Sequence, residues 1–157
     1  MGTMIRKRFL FLLLVFASVV PFAVPQSGGE DGKAFPPQAI IAASYRGDVE
    51  MVREILAAGP DKDTRNAFGD TALHVAMYQT NLLVVRLLLD YGFDPDAKTA
   101  RTGYTPLHNA VTANNVEAAR LLLQYGANKN IRGLDRLTPL DKARKEEKPA
   151  LISLLVR

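Results

Sequence analysis

A four-residue motif recurs at a nearly fixed interval along this chain of 157 residues. Thr71-Ala72-Leu73-His74 reappears 34 positions later as Thr105-Pro106-Leu107-His108, and 33 positions after that as Thr138-Pro139-Leu140-Asp141. Apolar segments end in a glycine at the same interval, at Gly59, Gly92 and Gly126. Two landmarks with one period indicate stacked structural repeats, because a unit this short cannot bury its own apolar face.

Each repeat predicts two helices followed by a loop. Thr71 and Thr105 are placed to cap a first helix with a hydroxyl, and Pro106 occupies the first turn, where a missing N–H costs nothing. A polar break at asparagine separates this helix from a second one rich in leucine and valine, which the glycine ends in a left-handed conformation. The loop between Gly92 and Thr105 is one residue longer than its two counterparts.

At these residues the chain resembles an ankyrin repeat protein over about 37–157. The resemblance implies an all-α fold, an ankyrin-repeat solenoid of about four helix-turn-helix units with finger loops. We place the repeat domain at 38–157, with units of about 38–66, 67–99, 100–133 and 134–157. The first and last units depart from the pattern, with Gln38-Ala39-Ile40-Ile41 at the start and Asp141 in place of the third histidine. Atypical end units are expected, because their outer faces meet water.

The segment before the repeats has the layout of a secretory signal peptide, which we place at 1–23. Three basic residues at 6–8 precede an apolar run of 12 residues, Phe9 to Val20, whereas a helix that crosses the bilayer needs ~20. We expect cleavage after Ala23; the alternative is an uncleaved N-terminal anchor. Translation starts at either Met1 or Met4. Residues 24–37, rich in Gly, Pro and polar types, predict a flexible linker.

The net charge of +4 and a pI near 9.5 suggest nucleic acid as a partner, but the signal explains most of this charge. Without the three cations at 6–8, the chain has 17 basic and 16 acidic residues. The chain has no cysteine, which excludes disulfides and thiol chemistry and favours the bacterial periplasm over eukaryotic secretion, the alternative. We expect a monomer that binds neither nucleic acid nor, after cleavage, a membrane.

Histidines and acidic loops offer two candidate ligand sites. His74 and His108 could hold a metal, yet their equivalent positions favour a structural role, which the ankyrin resemblance implies through bonds to their own repeat and the adjoining loop. The acidic pairs Asp61/Asp63 and Asp94/Asp96 have the spacing of some calcium ligands, but lack the glycine and distal glutamate of an EF-hand. No phosphate loop, nucleophile elbow or HExxH motif is present, so we predict no catalytic residue, no cofactor and no enzyme.

The remaining prediction concerns a binding surface. Ankyrin proteins bind partners along a concave face of loop tips and first-helix ends, and aromatic and arginine side chains are enriched in interface hot spots. The resemblance places ten residues there: Tyr45, Arg46, Phe68, Asp70, Tyr78, Gln79, Arg101, Thr102, Tyr104 and Thr112, with Tyr91 and Tyr125 near the rim. We predict an exported, non-enzymatic module that binds another protein of the periplasm or envelope and regulates it. The alternative is an envelope protein that binds a small ligand or metal through its histidines or loops.

Overall fold

A computed structural model of the protein describes residues 34–157, so the predicted signal peptide and most of the predicted linker lie outside the described residues. The described part contains helices and connecting loops and no strand, which confirms the all-α prediction. In chain order the helices are α1 (Ala39–Arg46), α2 (Val49–Ala57), α3 (Ala72–Ala76), α4 (Leu82–Tyr91), α5 (Pro106–Thr112), α6 (Val116–Gln124), α7 (Pro139–Lys145) and α8 (Pro149–Val156).

The eight helices form a solenoid of four stacked pairs. Each odd-numbered helix packs against the even-numbered helix that follows it, and also against the next odd-numbered helix. The even-numbered helices contact one another in the same order, so the fold has two helical layers with the apolar core between them. Ile40, Leu73 and Leu107 occupy one equivalent position in three successive pairs, and all three are fully buried. None of the helices described is long and apolar enough to cross a membrane.

Side chains at the start of each second helix fix where that helix begins. Asp48, Asn81 and Asn115 accept hydrogen bonds from backbone N–H groups in the first turns of α2, α4 and α6 at 3.0–3.1 Å. These bonds satisfy donors that a helix N-terminus otherwise leaves unpaired. At the other end of α4, Gly92 adopts φ +94°, the left-handed conformation predicted for the closing glycine.

The loops between helix pairs end in tight turns, here called fingers. Asn66 N–H donates to Asp70 O, and Gly133 N–H donates to Leu137 O, both at 3.0 Å. In the middle finger the corresponding bond runs from Thr99 N–H to Tyr104 O at 2.9 Å and encloses one more residue. The extra residue predicted between Gly92 and Thr105 therefore lies at the tip of this finger.

The N-terminal end of the stack is covered by residues that the sequence assigned to the linker. The Phe35 side chain packs against the apolar core, and Pro36 O accepts a hydrogen bond of 2.8 Å from Ala39 N–H at the start of α1. Phe35 and Pro36 are therefore part of the folded unit. At the C-terminal end Arg144 is exposed, whereas Val111, its equivalent in α5, is buried beneath the next pair.

Candidate protein-binding face

Both histidines join their own repeat to the following finger. In α3, Nδ1 of His74 lies 3.2 Å from Thr71 N and 2.8 Å from Thr71 Oγ1, and Nε2 lies 3.0 Å from Tyr104 O. His108 repeats the arrangement with Thr105 and with Leu137 O at 3.1 Å. A backbone N–H only donates and a carbonyl only accepts, so each ring carries its proton on Nε2 and is neutral.

Burial keeps both rings neutral. It lowers the pKa of His74 and of His108 below the ordinary 6.5, although the bond to the finger carbonyl acts in the opposite direction. Because all four ring nitrogens already have protein partners, neither histidine offers a lone pair to a metal or a substrate. Among residues 34–157, no three histidine or acidic side chains are placed to hold a metal ion.

In the last repeat, Asp141 accepts the hydrogen bonds that Nδ1 of the histidine accepts in the two preceding repeats. Its Oδ2 accepts hydrogen bonds from Thr138 N–H at 3.1 Å and from the Thr138 hydroxyl at 2.8 Å, as Nδ1 does in the two histidines. The same oxygen lies 3.7 Å from Nη1 of Arg132. A carboxylate, which only accepts, is sufficient for these two bonds.

The ten residues predicted for binding divide into two groups. The first lies at the ends of α1, α3 and α5, and we call it the helix-end face: Tyr45, Arg46, Tyr78, Gln79 and Thr112. Tyr45 and Tyr78 hold equivalent positions in successive repeats, with 62% and 49% of their surface exposed. The Gln79 side-chain amide donates to Tyr45 O, which holds the ends of α1 and α3 together. The two tyrosines thus form an exposed aromatic pair on adjoining helices.

Charged groups of its own repeat and of the last repeat influence the phenol of Tyr78. Burial first, and then the negative charge of Asp70, raises its pKa above 10.0, while Lys142 acts in the opposite direction. The hydroxyl of Tyr78 is therefore protonated at neutral pH and able to donate a hydrogen bond to a partner. Lys142 itself lies 2.6 Å from Glu146 Oε1 and is mostly covered, so its charge is already paired.

The second predicted group lies on the fingers. The Phe68 ring is 59% exposed, and the guanidinium carbon of Arg101 lies 5.9 Å from its centre. Thr102 is bonded within its own finger and to the next one: its hydroxyl lies 2.7 Å from Thr99 Oγ1, and its carbonyl accepts from Leu134 N–H of the last finger at 2.8 Å. Asp70 is half-buried and accepts from the Asn66 side chain at 3.4 Å. Phe68 and Arg101 are the most available members of this group.

The Tyr104 side chain contacts residues of its own repeat and of the next one. Its ring stacks on His108 with centroids 4.8 Å apart and planes within 3°, and Lys142 Nζ lies 4.8 Å from the ring centre. The hydroxyl donates to Asp135 Oδ2 at 2.6 Å, a bond that also lowers the pKa of that carboxyl. These contacts fix the ring between the third and fourth repeats. A role in partner binding stays a prediction for Tyr104, one that now competes with an evident packing role.

Two exposed residues of the last finger were missing from the predicted face. Leu134 is 71% exposed, more than any other large apolar side chain described, and Arg136 is exposed beside it. Leu134 aligns with Arg101 when the repeats are superimposed on their threonines, so the alignment alone would have found it. The rim tyrosines, in contrast, contact the scaffold: Tyr125 donates to Asp90, and the Tyr91 ring lies 6.1 Å from that of Phe93.

Comparison with known proteins agrees with this geometry. Residues 39–133 match the family model for ankyrin repeats, in three copies, which is more than half of the chain. This chain belongs to the ankyrin repeat family. Ankyrin repeats generally bind other proteins and are typically non-enzymatic interaction modules, so protein binding is the function to which this fold points.

Among curated relatives, the human cyclin-dependent kinase 4 inhibitor B is 35% identical over 79 residues, covering 50% of this chain and 52% of the inhibitor. A putative ankyrin repeat-containing protein of Treponema pallidum is 30% identical over 79 residues, 50% of this chain and 26% of that protein. An L-asparaginase of Dirofilaria immitis is 44% identical over 55 residues, 35% of this chain and 9% of the enzyme. The ankyrin chain thus spans about half or less of the length of these relatives.

Proposed function

We propose that this protein is an exported, non-enzymatic module that binds a protein of the periplasm or cell envelope through its helix-end face and regulates that partner. The observation that carries the proposal is the pair of exposed tyrosines, Tyr45 and Tyr78, at equivalent positions of adjoining repeats. Each offers a large ring for burial and a hydroxyl for a directed hydrogen bond, the combination enriched in interface hot spots.

The cost of ordering this face on binding is low. The bond from Gln79 to Tyr45 O already fixes the two helix ends relative to each other. A tyrosine has two rotatable side-chain bonds before the hydroxyl, so it loses less conformational freedom in a complex than an arginine or lysine. The match to a kinase inhibitor supports regulation of a partner as the outcome of binding. The kinase named for that inhibitor is not proposed as a partner of this chain.

Export rests on the sequence of residues 1–23 alone. A basic start, an apolar run too short to span a bilayer and a small-residue exit support passage through a secretion pathway. The absence of cysteine is compatible with an oxidising compartment, because no thiol is exposed to unwanted pairing.

A double variant tests the face. Tyr45→Ala with Tyr78→Ala should reduce recovery of the partner at least tenfold when tagged protein is used to capture proteins from the native envelope fraction, followed by mass spectrometry. Loss of two hot-spot side chains, each worth about 2 kcal/mol or more, justifies that size. Circular dichroism should show an unchanged helical spectrum, because both side chains are exposed.

Tyr91→Ala with Tyr125→Ala is the matched control. Both are tyrosines, each 37% exposed, and both lie on the second helices or at their ends rather than on the helix-end face. This control should capture the partner as the unmodified protein does. Equal capture by both double variants would show that the face is misassigned, and a failure of the unmodified protein to enrich any envelope protein would contradict the proposed function itself.

A further inference from the structure

The tips of the three fingers form one continuous edge. The Arg101 guanidinium lies over the Phe68 ring, which joins the first tip to the second, and Leu134 N–H donates to Thr102 O, which joins the second to the third. Gly69 and Gly103 allow this close approach: a Cβ on either would come within 2.9–3.0 Å of a backbone nitrogen in the next finger. We call Phe68, Arg101, Leu134 and Arg136 the finger edge.

This edge combines protruding apolar side chains with a positive charge. Phe68 and Leu134 are the most exposed large apolar residues on the fingers. Five basic and two acidic residues occur in 65–70, 98–104 and 132–137. Both acidic residues have protein partners, since Asp70 accepts from Asn66 and Asp135 accepts from Tyr104. Three of the five cations also donate to backbone carbonyls, Arg65 to Gly69 O, Lys98 to Arg132 O and Arg132 to Arg136 O. These bonds leave the charges in place, so five basic and two acidic residues give the three segments a net charge of +3.

Arg136 is held there against its local conformational preference. It adopts φ +65°, and the equivalent positions in the two preceding fingers are glycines, Gly69 at +82° and Gly103 at +67°. An arginine in the left-handed region is strained, whereas a glycine is not. This strain lowers the stability of the last finger relative to one with glycine at the same position. Here the residue adds a cation next to the most exposed leucine of the fold.

We propose that the finger edge docks onto the surface of an anionic lipid bilayer, with Phe68 and Leu134 inserted at the level of the headgroups and the cations paired with lipid phosphates. Apolar side chains on protruding tips, flanked by cations, suit a deformable anionic surface, which adapts to each tip. A folded protein would have to supply a pocket for each side chain. Such docking would leave the helix-end face free for the proposed protein partner. It departs from the expectation, drawn from the sequence, that no membrane contact follows signal cleavage.

A local fluorescent probe separates this docking from any membrane binding by the N-terminal segment. Because the chain has no cysteine, Leu134→Cys can be labelled at one site with an environment-sensitive apolar dye. In the full chain, its emission should shift to the blue and rise severalfold with vesicles of phosphatidylglycerol and phosphatidylcholine, but not with phosphatidylcholine alone. The same dye at Ser153→Cys, an exposed position on α8, should not respond.

Two charge variants complete the test. Arg136→Gly in the labelled Leu134→Cys protein should weaken apparent vesicle affinity about fivefold, the effect of one cation near an anionic membrane. Glu147→Gly is the matched control: Glu147 is also a left-handed non-glycine residue, at φ +53°, so the substitution relieves similar strain away from the edge. Neither variant should lower thermal stability, and Glu147→Gly should retain vesicle affinity.

Three outcomes would overturn the proposal. The first is an unresponsive probe at position 134 with anionic vesicles, and the second is an equal response at positions 134 and 153. The third is a probe at position 134 that responds to a captured protein partner and to no vesicle, which would assign the finger edge to protein recognition.

Discussion

At the scale of single residues, the two histidines show how a buried titratable group becomes a fixed connector. Each accepts two hydrogen bonds from its own threonine at Nδ1 and donates one from Nε2 to the next finger. Protonation of Nδ1 would remove the acceptor for both threonine donors and place a charge in the core between repeats. The chemistry that makes histidine a common catalytic base is here suppressed by its partners.

Stability should therefore fall as the pH drops below about 6.5. Both histidines have a lowered pKa in the folded state, so the unfolded chain binds more protons in this range. The free energy of unfolding should be greatest above pH 6.5, fall as the pH drops through 6.5, and continue to fall until the folded-state pKa is reached. Urea denaturation at pH 7.5, 6.5, 5.5 and 5.0 measures this slope.

The carboxylates with lowered pKa, Asp135 and Asp141, start from 3.8 and lose their contribution only at a lower pH. They do not interfere with the histidine range. His74→Gln with His108→Gln should flatten the slope between pH 5 and 6.5, whatever the substitution costs at neutral pH. A slope that persists in this variant would assign the dependence to other groups.

At the scale of elements, fingers depend on glycine for two separable reasons, backbone conformation and close packing. Gly103 and Gly126 both have positive φ, at +67° and +85°. A Cβ on Gly103 would lie 3.0 Å from Leu134 N and 3.2 Å from Leu134 Cγ, whereas one on Gly126 meets nothing within 4 Å. The contact between fingers, and not only the turn, therefore requires Gly103.

Alanine substitution at these two glycines should separate the two costs. Gly126→Ala should lower the free energy of unfolding by about 1 kcal/mol, the cost of a left-handed alanine. Gly103→Ala should cost at least about 1 kcal/mol more, because the third finger must also move away. Chemical denaturation of both variants measures the difference. Equal losses would mean that the fingers shift apart without cost and that their packing contributes little.

At the scale of the whole molecule, the main helix contacts of the described residues lie within pairs and between neighbouring pairs. α7 and α8 contact the preceding pair on one side and are open on the other in the described chain. In such a stack stability is close to a sum of unit and nearest-neighbour terms, so damage at an end stays local while damage in the middle spreads.

Leu151→Ala and Leu107→Ala test this locality. Both leucines are fully buried, so both substitutions should cost about 2–5 kcal/mol. In hydrogen exchange, Leu151→Ala should lose protection in α7 and α8 while α1 to α4 keep theirs. Leu107 lies in the third pair, so Leu107→Ala should reduce hydrogen-exchange protection in the helix pairs before and after it. A uniform loss across all helices in Leu151→Ala would show that the stack unfolds as one cooperative unit.

The sequence predicted the helix pairs because period, capping residues and closing glycines are local signals. The threonine caps, Pro106 and Gly92 each act within one turn of their own position, so neighbours in space are not needed to interpret them. The structural role expected for His74 and His108 from the resemblance is confirmed by their hydrogen bonds. Helix caps, helix ends and the repeat period depend on the order of residues along the chain, so they can be recognised from the sequence.

Contacts between repeats were harder to predict. The bond from Tyr104 to Asp135 joins residues of different repeats, and the position of Tyr104 next to the motif threonine does not by itself indicate this bond or the stack on His108. Phe35 precedes two prolines and looks like linker, yet it packs on the core beside α1, the first helix of the described residues. Side-chain packing across the stack depends on register in three dimensions, which composition and spacing do not reveal.

The bond from each histidine to the next finger ends on a backbone carbonyl, at Tyr104 in one case and at Leu137 in the other. Every residue has that carbonyl, so the connection does not depend on which side chain the following unit carries. A unit copied in tandem by gene duplication would find its attachment point already present, and its exposed residues could then diverge. The length of the array and the residues on its surface are therefore free to evolve independently of the joints that hold it together.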